Sequence, residues 1–94
     1  MEKIGVVTVT YNSSDVIDEF LEDLFKQKFS NFLLYVVDNA STDNSLEKIN
    51  KLKESRIKII KNTINKGVAN ANNTGIASAL KDNCSHVLLL NNDV

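Results

Sequence analysis

The sequence predicts an α/β domain: a Rossmann-like parallel sheet with helices on both faces, in the order β-α-β-α-β-α-β. Two observations carry this. Hydrophobic residues alternate between short β-branched runs and longer stretches at helical spacing. The strand runs are unbroken rather than alternating in polarity, the pattern of strands covered on both faces. Right-handed crossovers then make the sheet parallel, and a strand order of 3-2-1-4 is expected by analogy.

The first strand is the β-branched run Ile4–Thr10, bounded by Asn12, Ser13, Ser14 and Asp15. Val16, Ile17, Phe20, Leu21, Leu24 and Phe25 follow on one helical face, with Asp15, Asp18, Glu19, Glu22 and Asp23 on the other. Ser13 or Ser14 is expected to cap this helix, whose early acids suit its dipole. A second strand covers 33–37 and ends at Asp38. The polar stretch 39–44 leads into a helix with Leu46, Ile49 and Leu52 on one face. A third strand covers 57–60. A third helix spans about 68–80, rich in Ala with Ile76 and Leu80, although Gly67 and Gly75 weaken its first half. The fourth strand, 86–90, runs into Asn91, Asn92 and Asp93.

Composition narrows the function. Eleven Lys and Arg against twelve Asp and Glu leave a net charge of −1, which argues against a sequence-independent nucleic-acid or anionic-membrane binder. With 43% hydrophobic and 24% charged residues, the 94-residue chain reads as one ordinary small globular domain. Cys84 is the only cysteine, which excludes an intrachain disulfide and reads as a small, half-buried hydrophobe. No secretory signal is visible and no apolar run approaches the roughly 20 residues of a membrane helix, so a cytoplasmic location is expected. His86, the only histidine, opens the fourth strand and reads as a solvent-edge residue.

Ligands of open parallel sheets bind beyond the carboxyl ends of the strands. There this sequence places Tyr11 and Asn12, Asp38 and Asp43, Asn62 with Asn65-Lys66-Gly67, and Asn91-Asn92-Asp93. The opposite rim, at 28–31, 54–56 and 81–85, reads as ordinary turns. The first strand is followed by Tyr-Asn-Ser-Ser, not a glycine-rich turn, and no P-loop occurs. A nicotinamide dehydrogenase and a P-loop NTPase are therefore disfavoured. A bound diphosphate is better explained by a divalent cation bridging it to carboxylate.

The segments VVTVTYNSSDVIDEFLEDLF, LLYVVDNASTDNSLEKI, NKGVANANNTGI and HVLLLNND resemble, in order and place, the N-terminal half of family-2 glycosyltransferases, nucleotide-sugar-dependent enzymes of the GT-A fold. The resemblance runs from Ile4 to Val94. It implies that Tyr11 lies against the nucleotide base, with Asn12 beside it, and that Asp38 hydrogen-bonds base or ribose. Asp43 either caps the second helix or touches ligand. Gly67 would let backbone approach the nucleotide, and Lys66 would meet a phosphate or remain a solvated surface lysine. Asn73, in Asn-Thr-Gly-Ile, would support the loop.

Asn91-Asn92-Asp93 takes the place of the family's DxD metal motif, so Asp93, with Asn91 as a neutral oxygen ligand, would reach Mg²⁺ or Mn²⁺ held by the donor.

The implied reaction is inverting transfer from a UDP- or dTDP-sugar to the hydroxyl of a glycan or lipid-linked acceptor, in polysaccharide or glycan assembly. For the full-length protein, a place peripheral to the inner membrane face is an expectation. The general base is expected beyond Val94, so residues 1–94 are read as the donor half of a catalytic domain, inactive alone. An apolar edge at 86–90 is expected to promote self-association. The competing reading is a non-catalytic nucleotide-binding α/β module, which needs neither Asp93 nor metal. A receiver-like signalling domain is a third, poorly matched by Tyr11-Asn12 after the first strand.

Overall fold

The computed structural model describes residues 3–27 and 31–92. Asp93, the expected metal ligand, lies outside them, as do Val94 and much of the expected turn at 28–31. The elements run β1 (Ile4–Thr10), α1 (Ile17–Phe25), β2 (Phe32–Asn39), α2 (Ser45–Lys51), β3 (Ile57–Asn62), α3 (Val68–Lys81) and β4 (His86–Leu89). The four strands are parallel in the order β3-β2-β1-β4, as expected. Register levels their carboxyl ends: Thr10 stands opposite Asp38, and Asn39 opposite Asn62. This level rim gathers the polar strand-end residues on one side of the molecule.

Two apolar layers sandwich the sheet. Val6, Leu34 and Val36 point toward Ile17 and Leu21 of α1 and Ile49 of α2. Val7, Tyr35 and Val37 point toward Ala71 and Ala79 of α3, with Cys84 buried beside them. The alternation of inward directions along β1 and β2 is the strand period of two, and both sets are apolar because both faces are covered.

Four local expectations are corrected. The strands are one or two residues longer than expected at Asn39 and Asn62, where hydrogen bonding continues past the apolar run, and β4 stops at Leu89. Neither serine hydroxyl caps α1; the Ser13 carbonyl instead accepts the Val16 and Ile17 amides at 3.0 and 2.9 Å. Leu52 and Leu80 are more than half exposed, not core. On α3 the buried stripe is Ala71, Gly75 and Ala79, at i, i+4 and i+8, so the small residues face the sheet while Leu80 faces water. No helix among the described residues is long and apolar enough to cross a membrane. His86 is exposed at the start of β4, as expected.

Candidate functional site

A cavity of about 560 Å³ opens at the carboxyl ends of the strands. Its wall is built from Val9 and Tyr11 at the end of β1, Ser13, Asn39 at the end of β2, Asn65, Gly67, Val68 and Asn72 around the start of α3, and residues 89–92 at the end of β4. The volume falls within the range of small-molecule sites, about 300–1,000 Å³. Of the residues singled out from sequence, Tyr11, Gly67 and Asn91 meet here; Asn12, Asp38 and Lys66 are not on its wall.

Tyr11 is 53% exposed, an aromatic face left open beside the cavity. Its loop is held from behind by a dense set of polar contacts. Asn12 adopts a left-handed backbone (φ +50°), which turns its side chain toward the β2–α2 loop. There its Oδ1 accepts the Thr42 and Asp43 amides at 2.7 and 3.2 Å, while its own amide donates to Ser41 Oγ at 2.9 Å. The Ser13 amide donates to Ser45 Oγ at 2.8 Å, and Ser14 to Asp43 Oδ2 at 3.1 Å. Lys48 closes the same seam by donating to the Ser14 carbonyl at 2.6 Å.

Asp38 is 1% exposed. Its carboxylate accepts the Thr10 hydroxyl at 2.9 Å, the Ser41 amide at 3.0 Å and the Ser41 hydroxyl. These bonds join the ends of β1 and β2 and shape the turn through Ala40, itself left-handed at φ +64°. The geometry therefore gives Asp38 a holding position within its own loop.

Asp43 likewise serves the start of α2, accepting the Ser45 amide at 3.0 Å and the Ser45 hydroxyl. The Ser45 hydroxyl, helped by the Ser45 and Ser14 amides, lowers the Asp43 carboxyl from 3.8 to about 2. A folded-state pKa below the unfolded one stabilises the domain above the unfolded value, and this contribution is lost as pH falls through the folded value. Asp43 is exposed, so after allowance for solvent screening the effect is about 1 kcal/mol. Urea unfolding is expected to show that loss between about pH 4 and pH 2, and Asp43→Asn should remove this part of the acid sensitivity. A variant whose stability falls as steeply as the parent's over that window would contradict it.

The third loop is tied to the second through Asn39, which is 2% exposed and bonded to Asn62, Lys66 and Gly67. Gly67 precedes α3 with φ 83° and ψ 161°, a region open to glycine almost alone. A Cβ there would meet nothing within 4 Å, so backbone conformation, not crowding, requires glycine. Lys66 is exposed on the rim. Asn73 is exposed and is not on the wall; Asn72, one turn beyond Val68, lines it instead. Asn72 was missed from sequence, although its i+4 spacing from Val68 places both on one face.

At the fourth strand end the two asparagines separate. Asn91 is exposed on the cavity wall, whereas Asn92 is buried and donates to Thr8 Oγ1 at 3.1 Å and the Val9 carbonyl at 2.8 Å. Asn92 thus anchors the strand end to β1 and leaves Asn91 facing the cavity. Among the described residues no group of three or more His, Cys, Asp or Glu could hold a metal ion. Asn91 carries a neutral amide oxygen on the cavity wall.

The fold and cavity define a Rossmann-like α/β domain with a polar cavity at its strand ends. The family model for glycosyl transferase family 2 matches residues 5–94, and the chain belongs to that family. It is 37% identical over 79 residues to the Escherichia coli UDP-Glc:alpha-D-GlcNAc-diphosphoundecaprenol beta-1,3-glucosyltransferase WfaP, covering 84% of this chain and 32% of that protein. It is 34% identical over 83 residues to poly-beta-1,6-N-acetyl-D-glucosamine synthase of Staphylococcus aureus, covering 87% of this chain and 20% of the synthase.

Among solved structures, S. aureus TarS in complex with UDP-GlcNAc superposes with a TM-score of 0.83 at 30% identity, over 97% of this chain and 26% of that one. The Pyrobaculum calidifontis mannosyltransferase PcManGT, in complex with GDP-Man and Mn²⁺, gives 0.76 at 26% identity, over 82% and 24%. The fold is GT-A. The chain spans about a third of the length of the E. coli glucosyltransferase.

Proposed function

We propose that this chain is the donor-nucleotide half of a glycosyltransferase catalytic domain. It takes a UDP- or dTDP-sugar with Mg²⁺ or Mn²⁺, for inverting transfer to the hydroxyl of a glycan or lipid-linked acceptor. The cavity that brings Tyr11, Gly67 and Asn91 together at one sheet rim carries the reading. The UDP-GlcNAc bound to TarS and the UDP-glucose named for the E. coli relative support a UDP-sugar, and the GDP-Man and Mn²⁺ of PcManGT support a divalent cation.

In this reading Tyr11 offers its exposed ring to the base, and the turn at Gly67 lets the diphosphate approach backbone. Asn91 and Asp93 hold the cation, which when bound neutralises charge on the diphosphate leaving group. Asn12 and Asp38 act by holding the loops that carry Tyr11. Lys66, exposed on the rim, is available to a phosphate. The base that activates the acceptor is supplied from outside these residues, so the chain alone does not transfer sugar, and its cytoplasmic location follows from that of its nucleotide donor. The two sheet edges differ: β3 carries Lys58 and Lys61, which discourage strand pairing, whereas β4 exposes Leu88 and Leu89, which favours pairing with a second copy.

Calorimetric titration with UDP and dTDP tests the site. Binding is expected with Mn²⁺, to be abolished by chelator and by Asp93→Ala. It should weaken about tenfold in Tyr11→Ala, since stacking of a base on an aromatic ring is worth about 1–3 kcal/mol. Binding that ignores both chelator and Asp93→Ala would instead establish a bare nucleotide module. A folded chain that binds neither nucleotide would refute a donor pocket formed by this segment.

A further inference from the structure

We propose that Asn39 is a positioning residue: its buried amide ties the end of β2 to the turn at 65–67 and so sets the mouth of the cavity. The ligand in this inference rests on the donor-site reading above; the hold on the turn rests on geometry alone. Asn39 Oδ1 accepts Asn62 Nδ2 at 2.8 Å and the Lys66 amide at 3.4 Å, and Asn39 Nδ2 donates to the Gly67 carbonyl at 3.2 Å. A primary amide offers donor and acceptor on one short, neutral, planar group, which alanine or serine cannot reproduce. At 2% exposure the amide is held in place by the strand end around it.

The turn it grips has no ladder of its own: residues 65–67 lie between β3 and α3 without regular structure. Within the turn, Gly67 donates to Asn65 Oδ1 at 2.9 Å, which shapes it locally and does not fix it to the sheet. Asn39 supplies that attachment, through backbone atoms on both sides of the Lys66–Gly67 peptide. Because Gly67 opens α3 from a glycine-only conformation, the direction of this peptide decides where the wall formed by Gly67, Val68 and Asn72 stands. The neighbouring residue Asp38 grips the opposite side, toward Thr10 and Ser41. Two consecutive residues of β2 thus hold the two banks of the cavity.

The test joins nitrogen-15 relaxation of the ligand-free chain with UDP titration in Mn²⁺. In Asn39→Ala, order parameters at 65–67 are expected to fall from about 0.85 to below about 0.6, with residues 41–45 unchanged. The UDP dissociation constant should rise about tenfold. Asn39→Asp loses the donor and sets a carboxylate oxygen against the Gly67 carbonyl, so it should loosen the turn and weaken UDP at least as much as alanine. Asn62→Ala, at the end of edge strand β3, removes one bond to the Asn39 oxygen and leaves the residue in place; it should loosen the same turn less, and it decides the matter if the substitutions at 39 do not fold. Unchanged order parameters in folded variants, or loosening spread evenly over the chain, would overturn the proposal. A parent chain that binds no UDP would sink the donor reading, while relaxation would still decide whether Asn39 holds the turn.

Discussion

Replacing Gly75 with valine is expected to prevent folding, and even Gly75→Ala should lower the melting temperature, by up to about 10 °C, since each 1 kcal/mol moves a domain of this size by about 4–8 °C. On helix propensity alone, alanine would add about 1 kcal/mol of stability to the middle of α3. Packing opposes it. A Cβ at 75 would overlap Val7 Cγ1 and stand 3.1 Å from Val7 Cγ2 and 3.3 Å from Val37 Cγ2.

Val7 cannot step aside. It is fully buried in β1, which is paired on both sides, and its β-branched side chain has few rotamers to choose from. The helix must therefore lift, and lifting it opens the contacts that Ala71 and Ala79 make on the same stripe. Overpacking of this kind costs about 1–3 kcal/mol and sometimes more, against a total of about 5–14 kcal/mol for a domain of 94 residues. Valine adds two methyl groups to the same overlap, together with its own lower helix propensity. Thermal unfolding followed by circular dichroism decides it. A Gly75→Ala chain that melts at or above the parent temperature would mean that propensity outweighs the contact.

The same helix shows where sequence reading reached its limit. Its position between β3 and β4 was legible, because the change of hydrophobic period depends only on neighbours along the chain. Its inward face was not, because Ala71, Gly75 and Ala79 carry little hydrophobic signal beside Ile76 and Leu80. What selects the small face is the close approach of α3 to Val7, a property of the assembled layers. The candidate site divides in the same way. That polar residues crowd one rim followed from the strand ends alone. How each is held on the cavity wall depended on contacts between distant parts of the chain: Asn92 is bonded to Thr8 and Val9 while Asn91 is left exposed, and Asn39 is bonded to a turn 27 or 28 positions away. The left-handed backbone at Asn12 and Ala40, in the loops after β1 and β2, has no glycine to announce it.

Asp38→Ala is expected to destabilise the domain by about 3 kcal/mol, since each buried donor left without its acceptor costs about 1–3 kcal/mol and the losses do not add in full. The loss leaves three donors without an acceptor: the buried Thr10 hydroxyl and the Ser41 amide and hydroxyl. Hydrogen bonds to a charged acceptor contribute about 1.5–3 kcal/mol each, and those that share one acceptor do not add in full. Asp38→Asn keeps the shape but turns one oxygen into a donor. A hydroxyl at Thr10 or Ser41 can rotate to accept from it, whereas the Ser41 amide can only donate. A smaller loss, about 1–2 kcal/mol, follows.

Adding Thr10→Val to Asp38→Ala should recover part of the larger loss, because the orphaned hydroxyl is then gone as well. Urea unfolding measures all three variants, and UDP titration of the folded fraction shows whether binding follows stability. If Asp38→Ala abolished UDP binding at unchanged stability, its carboxylate would belong to the donor. If stability falls and Thr10→Val restores part of it, Asp38 acts on the nucleotide through its hold on the ends of β1 and β2, and Tyr11, next in the chain after Thr10, makes the contact.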